Sequence, residues 1–195
     1  ITREQDADEA LALTVRQALQ GGASVVQLRD KSPDHRARRA ELLLGICHQH
    51  GVPLIINDDI ALTGRLEADG VHLGRDDDSI AAARAALPPG TIIGVSCYDS
   101  VERAEEAEAE GADYVAFGRF FPSRTKPHAP RASVDTLRAA CRRLTVPIVA
   151  IGGITAGNAA SLVEAGAGLL AVVDAVFGED EPERAARRFR PLFSG

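Results

Sequence analysis

Short apolar runs alternate with longer amphipathic runs along the 195-residue chain. The short runs are rich in β-branched residues, and their length and composition are typical of strands buried on both faces of a parallel sheet. They span residues 24–28, 53–56, 70–73, 91–95, 113–117, 147–151 and 168–173. Residues 1–3 are a candidate stub of one more strand ahead of these seven.

The longer runs carry apolar residues at helical spacing, which predicts amphipathic helices packed against the sheet. Their predicted buried faces are Leu11, Val15, Ala18 and Leu19; Ala37, Ala40, Leu44 and Cys47; Val101, Ala104 and Ala107; and Ala185, Phe189 and Leu192. Capping signals agree with this pattern: Ser32 before Pro33 predicts a helix start, and Asp99 with Glu102 resembles a capping box. Glycines at 21–22, 51 and 111 follow helical patterns, where a residue with positive φ is favoured.

Counting residues 1–3, the chain contains eight strand–helix units. Alternating units form parallel sheets, and eight of them in one short chain favour a closed (β/α)8 TIM barrel over an open doubly wound sheet. We therefore expect one α/β barrel domain over residues 1–195, with its first strand shortened at the N-terminus.

Composition narrows the class of protein. The chain is 45% hydrophobic and 26% charged, which is typical of a soluble globular protein. No apolar run approaches the about 20 residues that cross a bilayer, so no membrane partner is expected. A net charge of −6 argues against broad nucleic-acid binding. Three widely spaced cysteines indicate reduced thiols and a cytoplasmic protein, and a homo-oligomer remains an open alternative to a monomer.

Polar groups follow nearly every predicted strand. The carboxyl ends of the strands carry the chemistry in a (β/α)8 barrel, so these groups are expected to share one rim. They are residues 27–31, 57–59, 72–78, Ser96, Gly118, Arg119, 122–126, Gly152, Gly153 and Asp174.

The group at 27–31 predicts an anion site. Alternation in an extended segment places Gln27, Arg29 and Lys31 on one side. Arginine binds phosphate as a planar fork and lysine as a point charge, so this side suits a diphosphate. The alternative is a structural ion pair with Asp30.

Carboxylates after the third and fourth runs predict a metal site. Asp58 is a candidate Mg²⁺ ligand and Asp77 a second one, with Asp76 and Asp78 as alternatives to Asp77. Mg²⁺ commonly takes one or two carboxylates and fills its remaining positions with phosphate oxygens and water. Asn57 is a candidate hydrogen-bonding group for a substrate. The alternatives are a turn or helix N-cap after the third run and a solvated loop after the fourth.

Two further loops suit phosphate. Residues 123–126 are hydroxyl-rich and basic, and Gly152 and Gly153 allow backbone N–H groups to approach a ligand closely. A polar surface loop and a tight turn are the respective alternatives. His72 ends a strand, where a structural role is favoured over catalysis. The sequence offers neither a zinc-binding spacing nor a nucleophile–base pair.

Together these residues resemble the thiamine phosphate synthase family over nearly the whole chain. The resemblance is carried by Gln-Leu-Arg-Asp-Lys at 27–31, Ile-Asn-Asp-Asp at 56–59, Gly-Val-His-Leu-Gly at 70–74, Ile-Gly-Val-Ser at 93–96, Phe-Gly-Arg-Phe-Phe-Pro-Ser-Arg-Thr-Lys at 117–126 and Ala-Ile-Gly-Gly-Ile at 150–154. Each motif is modest alone, but six in the right order, each on the predicted rim, are specific.

The resemblance implies a barrel enzyme that couples 4-amino-5-hydroxymethyl-2-methylpyrimidine diphosphate to a thiazole phosphate or its carboxylate, releasing diphosphate with Mg²⁺ as cofactor. It implies that the pyrimidine diphosphate is bound by Gln27, Leu28, Arg29, Asp30, Lys31, Asn57, Ser96 and Lys126. Of these, it gives Arg29, Lys31 and Lys126 the catalytic role of stabilising the departing charge. It implies Mg²⁺ ligation by Asp58 and Asp77. It assigns the thiazole phosphate to Ser123, Arg124, Thr125, Gly153, Val173 and Asp174.

Two residues depart from the family pattern. Asp174 stands where the family commonly has serine or another small residue, so we expect it to offer its backbone N–H while its side chain turns away and caps the next helix. Arg119 follows Gly118 where the family often has proline. The rival functions are a thiazole tautomerase on the same barrel, a sugar-phosphate epimerase and a non-catalytic phospholigand-binding regulator. The joint presence of the metal and diphosphate residues favours the synthase.

Overall fold

The computed structural model describes residues 1–3, 7–74, 77–122 and 130–193. Its centre is a sheet of seven parallel strands, each paired with the next in chain order. These are β1 Val26–Leu28, β2 Leu54–Asn57, β3 Gly70–Leu73, β4 Ile92–Tyr98, β5 Tyr114–Phe117, β6 Ile148–Ile151 and β7 Leu169–Ala171. The seven predicted strands are confirmed, and β4 runs three residues further towards the rim than its apolar pattern indicated.

Residues 1–3 lie between the two edges of this sheet. The Thr2 N–H donates to the Gln27 carbonyl at 2.9 Å, and the Arg29 N–H donates to the Thr2 hydroxyl at 3.0 Å. On the other side, the Ile1 amine donates to the Val172 carbonyl at 2.9 Å. The segment is too short to be assigned as a strand, but it bridges β1 and β7. The sheet therefore curls into the predicted TIM-type α/β barrel.

Helices alternate with the strands. They are α1 Asp8–Gln20, α2 Pro33–Gln49, α3 Ile60–Leu66, α4 Ile80–Ala86, α5 Val101–Ala109, α6 Val134–Arg143, α7 Ala160–Glu164, α8 Asp174–Phe177 and α9 Pro182–Arg187, followed by a 3-10 helix at Arg190–Phe193. The predicted faces of α1 and α5 are buried as expected. At the C-terminus the helical pattern breaks, because α9 ends at Arg187, before Phe189 and Leu192.

The buried face of α2 differs from the prediction. Leu43 and Ile46 are buried there, whereas Ala37 and Leu44 are only half-buried. Three consecutive leucines occupy residues 42–44, so helical spacing alone does not select which of them faces the sheet.

Helix ends follow the predicted signals with one correction. Gly22, Gly51 and Gly111 all have positive φ, and Ser32 is the N-cap residue before Pro33. The predicted capping box at Asp99 is wrong, because Ser100 is the N-cap of α5 and its hydroxyl accepts the Arg103 N–H at 3.1 Å. Both residue types cap helices well, so two adjacent candidates were not separable by type.

Two aspartates fix the amino ends of the strands. Asp69 accepts the Leu54 N–H at 2.8 Å, and Asp113 accepts the Ile93 N–H at 2.7 Å and pairs with Arg84. These contacts stabilise the end of the barrel opposite the polar rim. Over the described ranges, no helix has both the length and the hydropathy needed to cross a membrane.

Candidate active site at the carboxyl ends of the strands

A cavity of about 1420 Å³ runs through the barrel, from the carboxyl ends of the strands to their amino ends, where Pro53, Asp113 and Pro147 line it. Predicted site residues from separate loops line it, as the (β/α)8 rule requires. They are Gln27, Arg29, Asn57, Asp58, Asp77, Ser96, Gly153, Val173 and Asp174. The convergence expected from the sequence is therefore present for these nine.

The side chains of Gln27 and Asn57 are joined. Gln27 Nε2 donates to Asn57 Oδ1 at 2.8 Å across the paired strands β1 and β2. This bond leaves the Gln27 Oε1 acceptor and the Asn57 Nδ2 donors for a ligand. The two amides therefore present an acceptor and a donor side by side. This pattern is complementary to a nitrogen heterocycle whose amino group donates and whose ring nitrogen accepts.

The other residues of the 27–31 motif face different parts of the molecule. Arg29 lines the cavity with Gln27, whereas Leu28 points to the opposite face and is 2% exposed in the core. Asp30 is buried and accepts from Arg39 Nη1 at 2.7 Å and from the Ser32 N–H at 2.8 Å. Asp30 therefore forms a buried ion pair with Arg39 of α2. The alternative considered from the sequence was a pair with the cations of its own motif, and Arg39 was not predicted as the partner. Lys31 is exposed and does not line the cavity.

Asp58 and Asp77 line the cavity from neighbouring loops. Asp58 has a left-handed backbone with φ of 65°, and its N–H donates to the His72 carbonyl at 2.9 Å. The N-cap of α3 is its neighbour Asp59, which accepts the Leu62 N–H. A strained backbone at a non-glycine residue is characteristic of functional sites.

The acidic pair fits a hard divalent cation. Among the described residues no group of three or more His, Cys, Asp or Glu side chains is arranged to hold a metal. Two carboxylates on adjacent loops suit Mg²⁺, which completes its shell with substrate phosphate and water. The Asp77 carboxylate also accepts the Gly74 N–H, which joins it to the end of β3.

His72, Tyr114 and Ser96 form a hydrogen-bonded chain inside the barrel. His72 Nδ1 lies 2.8 Å from the Tyr114 hydroxyl, and His72 Nε2 lies 2.8 Å from Ser96 Oγ. Burial raises the pKa of the Tyr114 phenol far above its ordinary value, which keeps it protonated. The sequence did not predict Tyr114. Its signal was Gly94 within a strand, since a Cβ there would lie 1.9 Å from Tyr114 Cζ.

Gly152 and Gly153 form a tight turn after β6, with φ of 101° and 63°. A Cβ on Gly153 would lie 2.2 Å from the Pro122 carbonyl oxygen, so only glycine fits. Asn158 holds this turn by donating to the Gly153 carbonyl at 3.1 Å and accepting the Thr155 N–H at 2.8 Å. Asn158 was not predicted from the sequence either.

The predicted phosphate loop follows Pro122 directly. Ser123, Arg124, Thr125 and Lys126, together with the alternative metal ligand Asp76, lie outside the described residues. Because Pro122 contacts Gly153, the loop begins beside the glycine turn that was assigned to the same phosphate.

Asp174 requires a correction. The N-cap of α8 is Val173, and Asp174 is the first helical residue, with no side-chain capping bond. The predicted capping role is therefore wrong, because β7 ends three residues before the helix begins and the cap position falls one residue earlier than expected. The Asp174 side chain is exposed at the cavity mouth.

Arg103 is a third residue that was not predicted from the sequence. From α5 its guanidinium donates to the Ser96 carbonyl at 2.9 Å and to the Gly74 carbonyl at 3.4 Å. It therefore joins the ends of β3 and β4, which carry Asp77 and Ser96. A helical arginine at the solvated face of α5 gave no indication of this contact.

Comparison with known proteins decides the family. The family model for thiamine monophosphate synthase matches residues 1–176. The chain belongs to the thiamine monophosphate synthase family. It is 51% identical over 196 residues to the thiamine-phosphate synthase of Thiobacillus denitrificans, covering 100% of this chain and 93% of that protein. It is 52% identical over 191 residues to that of Nitrosococcus oceani, covering 97% and 86%.

The fold comparison agrees. A thiamine phosphate pyrophosphorylase from Pyrococcus furiosus superimposes with a TM-score of 0.87 at 31% identity, covering 98% of this chain and 92% of that one. The family resemblance stated from the motifs is thus confirmed. The chain is a member of a transferase family of thiamine biosynthesis.

Proposed function

We propose that the chain joins 4-amino-5-hydroxymethyl-2-methylpyrimidine diphosphate to a thiazole phosphate, giving thiamine phosphate and diphosphate with Mg²⁺ as cofactor. With the thiazole carboxylate the same coupling also releases CO₂. The observation that carries the proposal is the convergence of Gln27, Asn57, Ser96, Asp58 and Asp77 on one cavity from four successive strand ends. The family membership and the 51% identical synthase support the same reaction.

The paired amides recognise the aminopyrimidine. Gln27 Oε1 accepts from the exocyclic amino group, and Asn57 Nδ2 donates to the diphosphate or the ring. Since the Gln27–Asn57 bond already fixes both side chains, little side-chain entropy is lost on binding.

The cations neutralise the charge that develops on the leaving diphosphate. Arg29 lines the cavity, and Lys31 and Lys126 are the further cations to which the family resemblance gives this role. Preorganised charges of this kind stabilise the transition state more than the ground state. Asp58 and Asp77 are the residues that would hold Mg²⁺, which would screen the charge of the diphosphate and make it a better leaving group.

Breaking the C–O bond of the pyrimidine methylene gives a cation stabilised by its amino-substituted ring. The thiazole nitrogen then donates its electron pair to that carbon. The protein's task is to hold the two reactants in line and exclude water. Because the substrate's own ring stabilises the cation and the protein only positions the reactants, the site needs no nucleophile–base pair.

The thiazole phosphate occupies the side of the rim that Gly153 and Val173 line. The family resemblance adds Ser123, Arg124 and Thr125 as further ligands of this phosphate. The backbone N–H groups of the glycine turn are its donors there. Asp174 contributes its backbone N–H, and its side chain is exposed where the residue lines the cavity mouth.

Turnover with both substrates tests the proposal. Purified protein, the pyrimidine diphosphate, the thiazole phosphate and MgCl₂ should yield thiamine phosphate and diphosphate in equal amounts. Omission of either substrate or addition of a chelator should abolish the product. Absence of product with Mg²⁺, Mn²⁺ and Co²⁺ alike would contradict the synthase reaction. Isomerisation of a thiazole carboxylate phosphate without metal would favour the tautomerase instead.

A further inference from the structure

Tyr114 and Ser96, which both lie within hydrogen-bonding distance of the His72 ring, are at two different levels of the barrel. The strand register pairs His72 with Gly94 and Gly94 with Tyr114. The His72 and Tyr114 rings therefore meet across a residue without a side chain, with their centroids 5.6 Å apart and their planes at 25°. Ser96 lies two residues further along β4, on the same face and closer to the rim.

The hydrogen-bond directions in this chain follow from the phenol. In the part of the protein that the structure describes, the Tyr114 hydroxyl pairs with His72 Nδ1. A buried phenol has one proton and needs an acceptor for it, so Tyr114 donates to Nδ1. Nδ1 is then unprotonated, and the remaining ring proton of the neutral imidazole is on Nε2.

The Nε2 proton determines what Ser96 can do. His72 Nε2 lies 2.8 Å from Ser96 Oγ, so the imidazole donates and the serine oxygen accepts. The hydroxyl proton of Ser96 is thereby directed away from His72. Ser96 lines the same cavity as Gln27 and Asn57, so this proton is available to a ligand there.

We infer that Tyr114 and His72 are positioning residues that set Ser96 as a hydrogen-bond donor to an acceptor atom of the pyrimidine diphosphate. The acceptor is a ring nitrogen or a diphosphate oxygen. Without the phenol, His72 is free to adopt the other tautomer, in which Nε2 accepts the Ser96 proton and the serine presents a lone pair to the substrate. The inference rests on the proposed function for the identity of the ligand only.

A double-mutant cycle tests the connection through Ser96. Tyr114→Phe keeps the ring over Gly94 and removes only the hydroxyl. It should weaken binding of the pyrimidine diphosphate about threefold to tenfold, as expected for one hydrogen bond, and leave thiazole phosphate binding unchanged. In a Ser96→Ala background the same change should have no effect, and in a Ser96→Thr background it should regain its effect. Equal losses in all three backgrounds would overturn the inference, since they indicate a packing role.

The tautomer provides a readout that does not depend on catalysis. Ring ¹⁵N NMR of histidine-labelled protein, recorded well above the ordinary imidazole pKa of about 6.5, should show His72 protonated on Nε2. His72→Gln assigns the signal, and His48→Gln, at the exposed end of α2, is the matched control. Tyr114→Phe should shift the population towards the Nδ1 tautomer. An Nδ1-protonated His72 in the unmodified protein would overturn the inference, whereas failure of the synthase assay alone would count only against the proposed function.

Discussion

Arg39 Nη1 lies 2.7 Å from Asp30 Oδ2, and both side chains are almost completely buried. Arg39 also donates from Nε to Asp8 Oδ1 at 2.8 Å, so one guanidinium joins α1, α2 and the loop after β1. The hydrogen bond to Arg39 holds the pKa of Asp8 below its usual range. The proposed anion-binding motif at 27–31 is therefore joined to α1 and α2 by a buried charge network.

Asp30→Asn should destabilise the protein by about 2 to 3 kcal/mol, because the buried Arg39 guanidinium loses one of its charged partners and keeps Asp8. Urea unfolding followed by circular dichroism measures this change. Asp135→Asn is the matched control, since Asp135 pairs with Arg138 on the surface and should cost under about 1 kcal/mol. Equal losses of unfolding free energy in the two variants would show that the buried pair stabilises the protein no more than the surface pair does.

Asp58→Asn and Asp77→Asn should each raise the Mg²⁺ concentration needed for half-maximal turnover by about tenfold or more, because each removes a proposed charged ligand. A Mg²⁺ titration of the initial rate measures the shift. Asp180→Asn, in the exposed turn before α9, removes the same charge away from the cavity and should leave the titration unchanged. Unaltered Mg²⁺ dependence in Asp58→Asn would remove that residue from the metal site.

The fold was predictable because its signals are local and repeated. The spacing of Leu11, Val15, Ala18 and Leu19 identified the buried face of α1, and short β-branched runs identified the strands. Where neighbouring candidates were chemically equivalent, the sequence could not choose between them. Leu43 against Leu44 and Ser100 against Asp99 are such cases, and packing or backbone geometry decided both.

The supporting contacts of the site were not predictable, because they join residues far apart in the chain. Arg39 reaches Asp30 and Asp8 from another helix, and Arg103 joins two loop ends through backbone carbonyls. A carbonyl acceptor has no signature in the sequence. Nine of the predicted site residues do line the cavity, because the barrel rule places them at strand ends. Leu28 and Asp30 are buried instead, and Lys31 is exposed and does not line the cavity.

Asn158→Ala should raise the KM for the thiazole phosphate several-fold and leave the KM for the pyrimidine diphosphate unchanged. The variant loses both the 3.1 Å bond to the Gly153 carbonyl and the 2.8 Å bond from the Thr155 N–H, so the glycine turn is no longer held. Steady-state kinetics with each substrate varied in turn separates the two constants. Parallel increases in both would mean that the turn does not serve one substrate selectively.

Lys126→Ala should lower kcat by about 10² to 10³, as expected when one preorganised charge is removed from a developing anion. Single-turnover rates measured at saturating substrates isolate the chemical step. Arg142→Ala removes an exposed cation from α6 and should have no effect on that rate. An unchanged single-turnover rate in Lys126→Ala would make Lys126 a surface charge.

Gly94→Ala and Gly45→Ala should change stability in opposite directions. A Cβ at Gly94 would lie 1.9 Å from Tyr114 Cζ, so the ring must move and the free energy of unfolding should fall by about 3 kcal/mol. A Cβ at Gly45, in the exposed part of α2, meets nothing within 4 Å, and alanine should add about 0.5 to 1 kcal/mol there. Thermal and urea unfolding of the two variants measure both changes. Combining Gly94→Ala with Tyr114→Ala should cost less than the sum of the two single losses, because the methyl then occupies space that the ring has vacated. If the two losses in unfolding free energy were strictly additive, the Tyr114 ring would not pack on Gly94. The contact that brings Tyr114 to His72 would then also be contradicted.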